Sequence, residues 1–225
     1  MCAPLSIVIP TLNAERALPG TGAALIEGVQ SGLVRELIVS DGGSNDATGA
    51  IAGDLGATLI NGAAGRGGQL RRGAAAASGD WLLFLHADTH LAPGWSAVVA
   101  EHINTSNRAA YFRLRFRADG LMPGIVAAYA NLRSRLGLPY GDQGLLVSRR
   151  LYDRVGGYQD MALMEDVAMA RALRGQLTML ASVAATGAES YLQGGWLRRG
   201  GRNMWLLARY LGGADPDTLA RAYQR

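Results

Sequence analysis

The chain has 225 residues, a net charge of +4 and 49% apolar residues, which suits one compact domain with a short extension. All 22 basic residues are arginine, which excludes Schiff-base chemistry and a Walker-type phosphate loop, because both need lysine. The modest positive charge fits an anionic small substrate or a weak attraction to membrane surfaces better than nucleic acid. The single cysteine, Cys2, cannot form an internal disulfide, which suits a reducing compartment.

Strands and helices alternate through the first half of the sequence. Short β-branched or apolar runs predict strands at residues 5–10, 35–40, 57–61 and 81–86, with helices at 17–32, 47–55 and 69–77 between them. This rhythm predicts an α/β fold with a mostly parallel central sheet flanked by helices. Ligands bind such sheets beyond the carboxyl ends of the strands, where this sequence places Thr11, Asn13, Asp41 and Asp88.

The second half is less regular. Residues 111–117 alternate apolar side chains with arginines, which predicts a half-exposed strand. Helices are expected at 122–136 and 164–173, a loop entering a strand at 141–147, and a weak strand at 178–184. A basic, aromatic helix at 196–211 could rest on anionic lipid, or pack its apolar side on the domain and solvate its arginines. No run reaches the ~18 apolar residues of a membrane span, and no signal peptide is evident, so a cytoplasmic protein is expected.

A run of small polar residues follows the second predicted strand. Asp41, at the strand end and before two glycines, can accept hydrogen bonds from a base or a ribose. Capping is not needed at its position, so we interpret it as a ligand-binding residue. Asp46 is more simply interpreted as the cap of the helix at 47–55.

A second polar cluster ends the fourth predicted strand. The Asp88 carboxylate suits Mg²⁺ or Mn²⁺, which prefer oxygen ligands. The strand period of two would point His86, Asp88 and His90 the same way, so a zinc hydrolase is an alternative. This alternative has few further zinc ligands available, because the only other histidine in the sequence is His102. A structural, hydrogen-bonded His86 is an equally simple interpretation.

Two further positions carry charge that could serve chemistry. Glu165 and Asp166 open a predicted helix, where the helix dipole favours negative charge, but a carboxylate there could equally be a general base. Arg66 lies in a glycine-rich segment after the third strand and could bind diphosphate in a forked geometry. The segment is not a dinucleotide fingerprint, because Leu70 stands where that motif needs glycine.

Four segments in this order resemble the family 2 glycosyltransferases, which have the GT-A fold. Residues 7–13 (IVIPTLN) look like that family's first strand and nucleotide-binding turn. Residues 41–48 (DGGSNDAT) look like its D-D-G-S-x-D-x-T motif with glycine for the second aspartate. Residues 84–89 (FLHADT) look like its D-x-D metal motif with His86 for the first aspartate. Glu165–Asp166 looks like its E-D pair, and the four segments together span about residues 5–173.

The resemblance implies a metal-dependent, inverting transfer of a sugar from a nucleotide-diphospho-sugar, with a UDP-sugar as the expected donor, to an acceptor hydroxyl. It assigns the donor nucleotide to Pro10, Thr11, Asn13, Glu15 and Asp41, with Arg66 on the diphosphate. It places Mn²⁺ or Mg²⁺ on Asp88, with His86 beside it. Asp166 would be the catalytic base, and Glu165, Asp142 and Gln143 would hold the acceptor.

The resemblance also suggests a division of the chain. Residues 1–190 would form the glycosyltransferase domain, with a nucleotide-sugar half at about 1–90 and an acceptor half at about 91–190. Residues 191–225 would be a basic amphipathic helical extension that contacts the inner membrane face peripherally. The acceptor is expected to be a small molecule or lipid-linked, and no nucleic-acid partner is expected.

Within the family, the H-A-D-T, D-G-G-S and G-D-Q-G segments are closest to a small bacterial subgroup labelled "transferase 2, radical-SAM/selenodomain-associated", linked by name to arsenosugar synthesis. The Q-x-x-R-W motif of processive synthases is missing. Two alternatives stay open: a nucleotidyltransferase, which would normally have a glycine-rich loop where residues 11–16 have none, and a non-catalytic nucleotide-sugar sensor or membrane scaffold.

Overall fold

A computed structural model describes residues 3–224, without the Gln224 side chain, so the prediction that concerns Cys2 lies outside it. The structure has eight strands in these residues, and the strands join one sheet. The strands are β1 (Leu5–Thr11), β2 (Val34–Asp41), β3 (Thr58–Asn61), β4 (Trp81–Phe84), β5 (His90–Leu91), β6 (Ala109–Phe116), β7 (Leu145–Ser148) and β8 (Leu177–Thr186).

Helices cover the sheet and extend beyond it. None of those in residues 3–224 is long and apolar enough to cross a membrane. They are α1 (Leu18–Gln30), α2 (Thr48–Asp54), α3 (Arg66–Ala76), α4 (Trp95–Thr105), α5 (Leu121–Arg135), α6 (Arg149–Arg154), α7 (Glu165–Ala172), α8 (Glu189–Gly194), α9 (Trp196–Leu211) and α10 (Pro216–Gln224), with a 3₁₀ turn at Gly141–Gln143.

The strand directions bring distant parts of the chain to one rim. The sheet order is β3-β2-β1-β4-β7-β6-β8-β5. Strands β3, β2, β1 and β4 are parallel, β7 runs antiparallel to β4 and β6, and β8 is parallel to β6. The carboxyl ends of β1, β2, β4, β6 and β8 therefore share an edge with the amino end of β7. The 3₁₀ turn before β7 and the segment after β8 reach this edge.

The core lies on both faces of the sheet. Ile7 and Ile9 of β1 point to one face and pack in a cluster with Leu25 and Trp95 from α1 and α4. Val8, between them, joins the cluster on the other face, under α3, α6 and α7. Burial on both faces explains why β1 reads as a continuous apolar run, as expected for a parallel strand.

The predicted α/β fold with a mostly parallel sheet is confirmed, with local corrections. The fourth strand ends at Phe84, so His86 lies in the loop that follows it. Helix α3 begins at Arg66, where a loop was expected, because Gln69 anchors its first turn to the ends of β1 and β2. Strand β5 and helices α4 and α6 were not predicted, whereas α10 lies within the helical extension expected at residues 191–225.

Candidate active site

The turn after β1 and the loop after β2 hold each other by reciprocal hydrogen bonds, and we call residues 11–16 and 41–48 the clasp. The Asn13 amide donates to Ser44 Oγ (2.7 Å), and the Asn45 amide donates back to Asn13 Oδ1 (3.0 Å). The Glu15 amide donates to Asp46 Oδ2 (3.1 Å). Asn13 has a left-handed backbone (φ 51°), which asparagine tolerates better than most residues. The clasp therefore fixes the first predicted nucleotide-binding segment against the second.

Asp41 organises the centre of the clasp. Its carboxylate, which is 4% exposed, accepts hydrogen bonds from Thr11 Oγ1 (2.8 Å), the Gly43 amide (2.8 Å) and the Ser44 amide (2.7 Å). Although burial opposes ionisation, these donors hold the pKa of Asp41 below its usual value. Asp41 therefore also has a structural role that was not predicted, because its carboxylate closes the turn.

Asp46 lies one residue before Ala47, the N-cap residue of α2, so it is not the cap that was predicted, but it has a structural role nearby. Its carboxylate accepts a hydrogen bond from the Thr48 amide (3.0 Å) at the start of α2. The Glu15 carboxylate accepts from the Ala47 amide (3.2 Å), so two acidic residues satisfy amides of the first turn.

A cavity of about 250 Å³ opens at the same rim, beside the clasp. Its charged lining comes from loops at the rim and from α3, α5, α7 and α9, and its apolar lining comes mainly from β6, α5, the segment before α7 and the C-terminal helices. Eight charged or imidazole side chains line the cavity: Arg66, His86, Asp88, Arg133, Asp142, Glu165, Asp166 and Arg199. The aromatic and large apolar lining residues include Leu114, Phe116, Val126, Tyr129, Tyr140, Leu163, Met164, Tyr191, Met204, Leu206 and Tyr223.

Glu165 and Asp166, in the first turn of α7, have different environments. Glu165 is 2% exposed and pairs with Arg66 (Oε1 to Nη1, 3.4 Å). Burial and the charge of Asp166 raise the pKa of Glu165, against the opposing effect of Arg66. Asp166 is only partly buried; its Oδ2 accepts from the Gly141 amide (2.9 Å) and its Oδ1 from the Val167 amide (2.7 Å). Asp166 is thus fixed in orientation while it still faces the cavity.

Asp142 and Arg133 face the cavity with unused hydrogen-bonding capacity. Asp142 Oδ1 and Arg133 Nη2 are both buried, and neither finds a partner among the described residues. Burial raises the pKa of Asp142 to about 6, although Arg133 lowers it. The Arg133 guanidinium, in a side chain 9% exposed, lies 3.2 Å from the Tyr140 ring centroid and donates through Nε to the Leu138 carbonyl (2.9 Å). Buried polar atoms without partners mark places where a ligand fits.

Asp88 lies at the rim where β8 ends. A Cβ atom on Gly187 would be 2.9 Å from Asp88 Oδ2 and would also collide with Glu189 Oε2, so the two carboxylates flank this glycine closely. His86 lies next to Gly141, and burial together with Arg66 lowers the pKa of His86 to about 3. Its imidazole is therefore neutral, which is the form that can ligate a metal.

The structure brings half of the predicted site residues to one cavity and leaves the others apart. Arg66, His86, Asp88, Asp142, Glu165 and Asp166 line it, whereas Pro10, Thr11, Asn13, Glu15 and Asp41 belong to β1 and the clasp. His90 is in β5 and contacts Arg117, and no group of three or more His, Cys, Asp or Glu side chains in residues 3–224 is arranged to hold a metal, so the zinc-hydrolase geometry does not form.

Gln143 has a structural position. It is fully buried, its Nε2 donates to the Phe112 carbonyl (3.1 Å), and its Oε1 accepts from Ser134 Oγ and the Tyr140 amide. It is not among the residues that line the cavity, because the 3₁₀ turn points its side chain under β6. We therefore leave it out of the acceptor site.

Sequence reasoning missed several cavity residues. Arg133, Arg199 and Tyr223 carry no local signal, since nothing distinguishes them from other arginines and tyrosines until α5, α9 and α10 pack together. Glu189, which flanks Gly187 together with Asp88 but does not line the cavity, was also missed, although a rim residue could have been expected just after the last strand.

A sheet with this order and a rim of carboxylates defines the GT-A class of α/β glycosyltransferase folds. Three solved structures share it. The chain aligns over 98% of its length with 69% of the Pyrobaculum calidifontis mannosyltransferase PcManGT, in complex with GDP-Man and Mn²⁺ (TM-score 0.69, 15% identity). It aligns over 84% of its length with 38% of S. aureus TarS (TM-score 0.60, 16% identity). It aligns over 82% of its length with 70% of the glucosyl-3-phosphoglycerate synthase of Mycobacterium tuberculosis, in complex with Mn²⁺, UDP and glucosyl-3-phosphoglycerate (TM-score 0.55, 24% identity).

The sequence profile described as glycosyl transferase family 2 matches residues 6–137, more than half of the chain. The chain belongs to this family. A comparison with curated proteins finds no match in sequence. The predicted family is therefore confirmed, which argues against the nucleotidyltransferase alternative.

Proposed function

We propose that this enzyme transfers a sugar, with inversion, from a nucleotide-diphospho-sugar to an acceptor hydroxyl, with a divalent metal ion. The main support for the proposal is the cavity. Asp166, Asp88, Arg66 and Asp142 all line it, at the rim beside the clasp. The structural relatives that contain UDP or GDP-Man with Mn²⁺ support the donor class. A UDP-sugar is the donor to test first.

The clasp is the proposed nucleoside site. Pro10, Thr11, Asn13 and Glu15 hold its first segment, and Asp41 fixes the second segment through the Gly43 and Ser44 amides. Arg66, whose side chain is 50% exposed, lies at the cavity wall and supplies a guanidinium for the diphosphate. Binding there would stabilise the leaving group as its negative charge grows.

Mn²⁺ or Mg²⁺ fits the carboxylates beside Gly187. Asp88 and Glu189 supply hard oxygen ligands, and such ions usually take one or two carboxylates together with substrate phosphates. Neutral His86 is a further candidate ligand in the same cavity. When bound, the ion supplies charge stabilisation to the departing diphosphate.

Asp166 is the proposed general base. The Gly141 amide fixes its Oδ2, which leaves the carboxylate pointed at the cavity. Asp166 would take the proton of the acceptor hydroxyl while the acceptor oxygen bonds to the anomeric carbon. The bond from that carbon to the diphosphate oxygen breaks, and the nucleoside diphosphate leaves with its electron pair.

Glu165, Asp142 and Arg133 form the proposed acceptor site. Arg133 Nη2 can donate to an acceptor oxygen, and Asp142 Oδ1 can accept from an acceptor hydroxyl, because both atoms lack partners in the described residues. The wall of Leu114, Phe116 and Val126 is apolar. A small molecule or a lipid-linked acceptor that combines hydroxyls with an apolar part suits this lining.

The narrower assignments belong to the same proposal. Membership of the radical-SAM-associated subgroup rests on the H-A-D-T, D-G-G-S and G-D-Q-G segments alone. The division at about residues 90 and 190 and a cytoplasmic location are likewise proposed. Peripheral contact with the inner membrane face is supported by the basic composition of α9.

The first test is thermal stabilisation by UDP-, GDP- and dTDP-sugars with Mn²⁺, with Mg²⁺ and with chelator. Donor at 100 times its Kd should stabilise the folded state by about 2.7 kcal/mol. We expect a metal-dependent shift with one nucleotide, lost in Asp88→Ala and kept in Asp153→Ala, whose carboxylate is exposed on α6. A shift that survives chelator and Asp88→Ala would remove the metal from the proposal, and no shift with any donor would remove the donor class.

A further inference from the structure

Helix α5 exposes an apolar stripe along its whole length. The stripe repeats at three- and four-residue intervals, so its members share one helix face. They are Leu121, Ile125, Tyr129, Leu132 and Leu136, which are 78%, 50%, 42%, 58% and 78% exposed. The opposite face of α5 is already used, because Ala127 and Ala130 pack with Leu114 and Phe116 of β6. The exposed stripe is therefore not needed for the core.

Helix α9 carries a second exposed apolar stripe. Leu197, Met204, Trp205 and Leu211 are 78%, 47%, 51% and 46% exposed. Its inner face is also apolar, since Leu206 and Leu207 are buried with Met164 and Val167. The sequence left two possibilities for this helix, contact with lipid or packing on the domain. In the structure one apolar face packs on the domain and a second apolar stripe is exposed to solvent.

The two stripes meet at the mouth of the cavity. Helix α5 packs against α9. Tyr129 of α5 and Met204 of α9 both line the cavity while 42% and 47% exposed, so the cavity reaches the surface between them. We call this continuous surface of the α5 and α9 stripes the apolar face.

Every charged side chain on these two helices is positive. Helices α5 and α9 contain arginines and neither aspartate nor glutamate. The arginines are Arg133, Arg135, Arg198, Arg199, Arg202 and Arg209. Exposed leucine and tryptophan beside arginine are typical of a surface that lies on anionic lipid. A second copy of this chain would instead bring like charges together.

We propose that the apolar face docks on an anionic lipid bilayer and holds the cavity mouth against it. Leucines, Ile125 and Trp205 enter the interface, and Arg135 and Arg198 at its border contact lipid phosphates. This extends the proposed peripheral contact from α9 to α5. One consequence rests on the proposed function: a lipid-borne acceptor would enter the cavity directly from the bilayer.

The test is co-sedimentation with vesicles of phosphatidylcholine, alone or mixed with phosphatidylglycerol, without donor. We expect binding to the mixed vesicles that weakens with salt. Ile125→Asp/Leu132→Asp should lower the affinity by about tenfold or more. The matched control is Ile26→Asp/Val29→Asp on α1, whose residues are 52% and 60% exposed and whose binding should equal wild type.

A second pair of variants tests the charge. Arg135→Gln/Arg198→Gln should weaken binding by about fivefold for each arginine removed. Arg113→Gln/Arg115→Gln, equally exposed on β6, should not change it. Circular dichroism and thermal melting establish that each variant is folded.

Two results would overturn the docking proposal. One is equal binding, or equal failure to bind, by the α5 and α1 variant pairs. The other is a dimeric wild type that Ile125→Asp/Leu132→Asp makes monomeric without any vesicle binding, which would make the face a contact between copies. Vesicle binding in a protein that no donor stabilises would sink the donor proposal and leave the docking proposal standing.

Discussion

The clasp and the cavity lie side by side at one rim. The central carboxylate of the clasp is fully hydrogen-bonded within the described residues, whereas two buried polar atoms of the cavity are not. In the clasp, the Asp41 carboxylate has accepted hydrogen bonds from Thr11, Gly43 and Ser44, and its pKa is lowered. In the cavity, Asp142 Oδ1 and Arg133 Nη2 have no partner in the described residues, and the pKa of Asp142 is raised.

The difference shows which part of the site is finished by folding and which part needs a ligand. Clasp residues are within a few positions of their partners or directly across two adjacent strands, so folding completes their hydrogen bonds. Cavity residues come from α5, α7 and the turn before β7, and their charges remain only partly compensated. Such groups are commonly kept for binding at the expense of stability. Substitutions in the clasp should therefore lower stability, whereas removal of a charge from the cavity should cost little stability or increase it.

The largest effect is expected for Asp166→Asn. Asparagine keeps an oxygen for the Gly141 amide but cannot take a proton, so the rate should fall about 10²–10⁴-fold. The measurement is nucleoside diphosphate release from the donor found by thermal shift. Donor-induced stabilisation should be unchanged, and near-full turnover would remove Asp166 from the mechanism.

Asp41→Ala should destabilise the fold by about 3 kcal/mol, because it leaves buried donors of Thr11, Gly43 and Ser44 without an acceptor. Asp88→Ala should change stability by less than about 0.5 kcal/mol, since the Asp88 carboxylate accepts no hydrogen bond within the described residues. Urea unfolding of both variants without donor is the measurement. Equal losses of stability would show that the comparison between clasp and cavity is wrong.

Asp142→Asn should stabilise the protein at neutral pH. The pKa of Asp142 rises from 3.8 to about 6 on folding, so the wild type loses stability as pH increases through this window. The variant should be more stable by on the order of 2 kcal/mol at pH 7 and equal to wild type below about pH 4. Urea midpoints between pH 4 and 8 give the profile; a pH-independent difference would assign the effect to packing.

A smaller loss of stability than for Asp41→Ala is expected at Asn13. Asn13→Ala loses the hydrogen bond from the Asn45 amide and leaves alanine in a left-handed backbone, for a loss of about 1–2 kcal/mol. Asn13→Gly loses the same bond but relaxes the backbone, so it should be about 1 kcal/mol more stable than Asn13→Ala. Thermal melting of the pair measures the difference, and equal stability would mean that the backbone conformation is not strained.

Much of the parallel half of the fold was predictable, because each of its signals is local. The apolar run of β1 and the polar residues after it are contiguous, and a parallel strand buried on both faces needs no alternation. The chirality and connectivity of βαβ units place the carboxyl ends of the parallel strands at one edge of the sheet. Asp41 and Asp88, which follow such strands, could therefore be placed at one rim. The hydrogen bonds of these residues could not be predicted, because the bond from Thr11 to Asp41 depends on how two strands pack side by side.

The sequence by itself determined the α/β class, the family and the order of the chemical motifs, because these depend on short segments and their spacing. Only the tertiary structure decided that β7 runs antiparallel and carries Asp142 to the rim, that α5 supplies Arg133, and that Glu189 returns beside Asp88. Helices were predicted at 122–136 and 196–211, but packing decides which of a helix's apolar residues remain exposed. That choice is made by contacts between residues far apart in sequence, and no local pattern records it.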